Sequence, residues 1–145
     1  MSIRIVLTRP SHPGNIGSAA RAMKTMGFGD LCLVAPERFP ATEATVMAAG
    51  AQDVLDRVRV FPDVSSAVAD CGLVVGTTAR ARHLPWRVLE PREAAAEVAV
   101  AATASDVAVL FGAERTGLTN DELELCQRLL TIPTGSPYGS LNVAM

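Results

Sequence analysis

Four stretches of this sequence combine glycines, hydroxyl residues and isolated charges in a way that suits ligand chemistry. The first runs from Thr8 to Arg21. Pro13 and Gly14 make a turn there, and Asn15 reads as the N-cap of a helix starting near Ile16. Gly17, Ser18 and Arg21 fall off the apolar stripe of that helix, so they can line a site, although Arg21 can equally face solvent. The second stretch, Gly76 to Arg82, places Thr77 and Thr78 directly after an apolar run. Hydroxyls at that point either bind a ligand or cap a turn. The third, Phe111 to Leu118, holds Gly112 and Gly117, which let the backbone approach a ligand or turn sharply. Glu114 between them suits orienting an arginine or a polar ligand group, or a plain ion pair with Arg115. The fourth, Ile132 to Met145, is rich in Pro and Gly and leads into Ser140, Leu141 and Asn142, which look like the start of a helix that Ser140 would cap.

These stretches matter only if the fold gathers them. Apolar runs at Ile3–Leu7, Leu31–Val34, Leu73–Gly76, Val107–Phe111 and Leu129–Ile132 are mostly continuous rather than alternating, as expected of strands buried on both faces. Helical patterns lie between them. Ile16, Ala19, Ala20 and Met23 form one stripe, closed by Gly27 as a C-cap. Ser65–Asp70 predicts a short helix. Pro91 suits a first helical position ahead of Ala94, Ala95, Val98 and Ala102, and Thr119 with Glu122 forms a capping box for a helix through Gln127. This β-α alternation predicts an α/β fold: a mainly parallel sheet with helices on both faces and ligands at the C-terminal strand ends. The first loop lacks the GxGxxG pattern, and no acidic residue closes the next strand, which argues against a dinucleotide-binding fold.

Composition narrows the class. The chain has 145 residues, enough for one domain with a substantial core. Hydrophobic residues make up 49% and aromatic ones only 4%, so Ala, Val and Leu must build that core. No apolar run reaches membrane-spanning length and the N-terminus lacks a signal-peptide layout, so a cytoplasmic protein is expected. Cys32, Cys71 and Cys126 are scattered and His12 and His83 isolated, which fits small buried thiols rather than a zinc site. A net charge of −2 argues against nucleic-acid binding by bulk electrostatics. All but Lys24 of the basic residues are Arg, however, and Arg80, Arg82 and Arg87 crowd around Pro85 and Trp86. Such a patch can grip phosphate locally, or simply be a solvated loop.

Taken together, the segments Asn15–Arg21, Phe111–Leu118 and Ile132–Asn142 match a known set in order and spacing. The chain resembles the SPOUT methyltransferases, specifically the SpoU/TrmH group, over essentially its whole length. The fuller strings His12–Gly27 and Thr77–Trp86 resemble the TrmJ subgroup. The resemblance implies a C-terminal trefoil knot, and residues 1–145 as a single methyltransferase domain lacking the family's last helix and C-terminal extension. It implies S-adenosylmethionine as cofactor, held by Thr77, Thr78, Ala79, Gly112, Ile132 and Leu141, with Gly117 and Asn142 shaping the pocket. It gives Arg21 the central catalytic role, with Asn15, Glu114 and Ser140 positioning it or the ribose, and requires no metal. It further implies a homodimer acting on tRNA, with Arg80, Arg82 and Arg87 on the RNA backbone and the ribose 2′-oxygen of cytidine or uridine at nucleotide 32 as the target. Another tRNA position or rRNA is the alternative within the group; a non-catalytic RNA-binding module is the alternative outside it.

Overall fold

The computed structural model describes residues 2–79, 87–133 and 142–145. Seven strands are found there: β1 (Ile3–Thr8), β2 (Asp30–Val34), β3 (Arg59–Phe61), β4 (Cys71–Thr77), β5 (Arg87–Leu89), β6 (Asp106–Phe111) and β7 (Arg128–Leu130). They form one sheet in the order β3-β2-β1-β6-β4-β7-β5, and every pairing is parallel. Six α-helices accompany them: α1 (Pro13–Thr25), α2 (Thr42–Ala48), α3 (Gln52–Asp56), α4 (Val64–Val68), α5 (Pro91–Ala101) and α6 (Asn120–Glu124).

Helices cover both faces. Along β1 successive side chains point to opposite sides. Val6 joins Cys32, Val34, Ala108 and Leu110 in a core with Val64 and Ala67 of α4 and Leu123 of α6. Leu7 joins Leu31 and Leu33 on the other side with Ile16, Ala19, Ala20 and Met23 of α1 and Ala44 and Ala48 of α2. Val98 of α5 closes the sheet over Val75 and Val107. A fully buried side chain such as Ile16 contributes about 2 kcal/mol by leaving water.

Helix ends follow the local chemistry. Gly27, at φ +84°, ends α1: its N–H donates to Lys24 O and that of Phe28 to Met23 O, the paired bonds of a Schellman motif. Pro91 opens α5 inside a Glu90/Glu93 capping box, and Thr119 with Glu122 caps α6. Two expectations change. Asn15 is not the cap of α1; Pro13 takes the first helical position, His12 is the cap and Asn15 lies inside the first turn. Gly17 does not line a site either. It is buried where α1 meets α2, and a Cβ there would run into the Ala44 carbonyl.

The sheet order places a crevice at the C-terminal strand ends. From β1 the chain leaves toward β2 over the α1 face, whereas from its neighbour β6 it leaves through α6 over the opposite face to β7. Parallel sheets bind ligands where neighbouring strands diverge in this way. At the opposite end Arg4, only 2% exposed, bonds the Ala67 carbonyl at 2.8 Å and pairs with Asp70, Asp30 and Asp106. That cluster ties β1, β2, β6 and the end of α4 together, away from the crevice.

Candidate functional site

The loop after β6 meets the start of α1 through Glu114. Its carboxylate accepts from the Ser11 N–H (3.2 Å), the Ser11 hydroxyl (3.0 Å), the His12 N–H (3.4 Å) and the Asn15 amide (3.4 Å). Helix α1 needs this. It has no side-chain cap of its own and no acidic residue in its first turn, and a carboxylate at a helix N-terminus satisfies exposed donors and complements the dipole. Burial alone would raise the Glu114 pKa, but hydrogen bonds from its own backbone, Ser11 and Asn15 outweigh that and hold it below the usual range. Its partners are therefore helix donors, not Arg21 or Arg115.

A third segment joins at the same place. The Asn142 amide donates to Asn15 Oδ1 at 3.0 Å, and Val143 packs against the core under α1. The N–H of Met145 closes a single turn on Asn142 O. Asn15, Glu114 and Asn142, far apart in the chain, thus form one hydrogen-bonded group. Arg21 lies further along α1, roughly 9 Å of helix axis from Asn15. It is exposed, and its guanidinium has no partner among the described residues.

The other expected residues divide. The Thr77 hydroxyl donates to Leu110 O at 2.8 Å and the Thr78 N–H to Leu130 O at 2.9 Å, so both hold the sheet's C-terminal edge together. Ala79 is exposed beside them. A Cβ on Gly112 would meet the backbone of Gly117 and Leu118, so this glycine lets its own loop fold back tightly. Gly117 sits at φ +69°, and its N–H donates to Ala113 O at 2.9 Å. Ile132 is 40% exposed just past β7, and the Thr131 hydroxyl before it is buried without a hydrogen-bond partner among the described residues. Arg87 pairs with Glu93 and Glu97 of α5. Ser140, Leu141, Arg80 and Arg82 lie outside the described residues, as does the chain path where a knot would close.

Arg9 escaped the sequence reading. Its guanidinium pairs with Glu122 and donates to Gly117 O at 3.2 Å, joining β1 to the loop that carries Glu114. Nothing in its surroundings, an arginine between Thr and Pro, signals this. Arg9 also lines a cleft of about 380 Å³ with Ala35, Asp63, Thr119 and Leu125, which Asn15, Glu114 and Asn142 do not line. Among the described residues no three His, Cys, Asp or Glu side chains gather as a metal site, and no helix is long and apolar enough to cross a membrane.

The chain is 51% identical over 144 residues to the tRNA (cytidine/uridine-2'-O-)-methyltransferase TrmJ of Sodalis glossinidius, covering 99% of this chain and 56% of that protein. A probable methylase family protein from Haemophilus influenzae has the same fold, with a TM-score of 0.92 and 50% identity over 99% of this chain and 60% of its own. TrmJ from Z. mobilis matches at a TM-score of 0.91 and 42% identity, over 99% of this chain and 64% of its own. The chain thus spans a little over half the length of the curated relative. The SpoU rRNA Methylase family pattern runs through residues 2–145, and the chain belongs to that family.

Proposed function

We propose that this chain forms the cofactor-binding and catalytic part of an S-adenosylmethionine-dependent tRNA ribose 2′-O-methyltransferase, acting on cytidine or uridine at nucleotide 32. The observation that carries the reading is the hydrogen-bonded group Asn15–Glu114–Asn142, which brings three separated motifs together at the C-terminal edge of the sheet, at the start of the helix that carries Arg21. The relatives' printed activity and the family membership support it.

The residues at this edge fit the cofactor. The Thr131 hydroxyl, buried and without a hydrogen-bond partner among the described residues, suits a polar group of the cofactor, and Ile132 offers exposed apolar surface next to it. Thr77, Thr78, Ala79, Gly112, Gly117, Ile132, Leu141 and Asn142 would hold the cofactor, mainly through backbone and small side chains. Once bound, its sulfonium supplies an activated methyl group.

The chain's own residues must then orient the ribose and answer the charge that grows on its 2′-oxygen. The Arg21 side chain has no partner among the described residues, and a guanidinium suits binding the adjacent phosphate and stabilising the developing alkoxide rather than accepting a proton. Glu114 accepts from four donor groups among the described residues and is held below the ordinary carboxylate range, which makes it a holder of α1 rather than a general base. Asn15 and Asn142, with Ser140, complete the positioning of the ribose. Arg80, Arg82 and Arg87 are the proposed contacts to the tRNA backbone. The exposed pairs of Arg87 with Glu93 and Glu97 are weak enough to exchange for phosphate.

The same proposal includes a cytoplasmic homodimer with a knotted C-terminal region, α1 and the C-terminal segment contributing to the interface. Met26 and Phe28 after α1, and Val46 and Met47 on α2, are large exposed apolar side chains that such an interface would cover. The deciding experiment incubates the full protein with S-adenosylmethionine and tRNA transcripts altered at nucleotide 32, then maps ribose methylation by resistance to alkaline hydrolysis. Methylation at nucleotide 32 is expected. Methylation only at another tRNA position or in rRNA would move the target, and no cofactor binding by calorimetry would reject the enzyme reading.

A further inference from the structure

We propose that Arg9 is a positioning residue for the cofactor side of the site, acting through the carbonyl of Gly117. The proposal rests on the reading that Gly112 and Gly117 border the cofactor pocket.

Arg9 follows the last residue of β1 in a left-handed conformation, φ +46°, which disfavours any residue carrying a Cβ. Its N–H donates to Val34 O at 2.7 Å, so the turn is tied to the end of the neighbouring strand. From there the guanidinium fork reaches two partners on a distant segment. One arm meets the Glu122 carboxylate, whose other oxygen accepts from the Thr119 N–H at 2.8 Å in the cap of α6. The second arm donates to Gly117 O.

Gly117 needs such a partner. It has no side chain to pack, and there is open space around the position a Cβ would take. Its N–H is bound within its own loop, and among the described residues its carbonyl accepts from Arg9, which ties this peptide to the turn after β1. In the reverse direction Glu114 crosses from the same loop to Ser11, His12 and Asn15. The two segments therefore exchange one charged side chain each. Glu114 holds α1 and its catalytic face; Arg9 holds the peptide at the pocket border. The two tethers predict different kinetic consequences, because Arg9 bonds a pocket-border peptide directly whereas Glu114 bonds the start of α1.

The test compares the full wild-type protein with Arg9→Met, which keeps the stem and removes the fork, and Arg9→Lys, which keeps the charge for Glu122 but lacks two planar arms. Three measurements are read: hydrogen exchange at Gly117 without ligand, S-adenosylmethionine Kd by calorimetry, and separate KM values for cofactor and tRNA. For Arg9→Met, loss of one such bond predicts about tenfold faster exchange at Gly117 and about tenfold weaker cofactor binding. The tRNA KM and kcat stay within about twofold, a split that general destabilisation would not produce. Arg9→Lys recovers melting temperature and only part of the affinity. If Arg9→Met fails to fold, Arg9→Lys decides: weakened cofactor binding at native Tm supports the proposal and native affinity overturns it. Native exchange at Gly117, faster exchange with unchanged cofactor Kd, or equal loss in both KM values also overturns it. No cofactor binding by the wild-type protein would overturn the underlying functional reading instead, while exchange at Gly117 still reports whether Arg9 holds the loop.

Discussion

Replacing Arg4 with methionine tests how far one buried cation organises the sheet. Methionine fills the stem's space but offers no donors. The Ala67 carbonyl loses its 2.8 Å bond, and Asp70, Asp30 and Asp106 lose their shared cation. An unsatisfied buried carbonyl costs about 1–2 kcal/mol. Removing one partner of a fully buried ion pair costs about 3–5 kcal/mol, but the Asp70 side chain is 63% exposed, so solvent screening lowers that share. The sum is about 3 kcal/mol, or roughly a 10 °C fall in Tm for a domain of this size.

The effect must also depend on pH. The Arg4 hydrogen bond is the main reason the Asp70 pKa lies below its ordinary value. For Asp30, burial pushes the pKa up, but bonds from Arg59 and Ser2 and the charges of Arg59 and Arg4 pull it down on balance. Carboxylates depressed in the folded state add stability that is complete above their unfolded pKa, about 4, and lost as pH falls through the folded value. In Arg4→Met, Asp70 returns toward its ordinary pKa, so the variant loses less on acidification. The Tm gap should therefore be widest at neutral pH and narrow toward pH 3. Thermal unfolding followed by circular dichroism measures both. A gap under about 3 °C at pH 7, or one that stays constant to pH 3, would refute the reasoning.

Other substitutions probe the site. Arg21→Ala should lower methylation at least about a hundredfold, the usual cost of losing a donor to transition-state charge, while calorimetry shows nearly unchanged cofactor affinity. Glu114→Gln presents an NH2 group to donors at Ser11 and His12; hydrogen exchange in the first turn of α1 should quicken while stability falls by only about 1 kcal/mol, the scale of a lost helix cap. Because Glu114 titrates below its ordinary value, the acid limb of wild-type activity above about pH 5 should be unchanged in that variant. Gly17→Ala should destabilise by about 2 kcal/mol in urea titrations, reversing the gain of about 1 kcal/mol typical of this change in a helix, because the added methyl meets α2 backbone.

What was legible follows from where each signal is stored. The five central strands announced themselves because burial on both faces demands continuous apolar runs. The edge strands β3 and β5 did not: each has three residues, one neighbouring strand and mostly exposed side chains. Helices α2 and α3 were also unread, since α2 buries only Ala44 and Ala48 and exposes Val46 and Met47. The thiols behave as their setting suggested, with burial pushing Cys32 up to about 11 and Cys126 up to about 12.

By itself, the sequence determined the parallel α/β class, the caps at Gly27, Pro91 and Thr119, and the motif residues, because each depends on neighbours within a few positions. Tertiary structure decided what those residues touch. It took the cap of α1 from Asn15 and supplied Glu114 from a loop about a hundred positions away. It turned Thr77 and Thr78 into fasteners of the sheet edge and gave Arg9 partners at Gly117 in Glu114's loop and at Glu122 in the helix that follows. Hydrogen bonds and ion pairs reach only a few ångströms, and which groups come that close depends on how the whole chain packs, which no local pattern encodes.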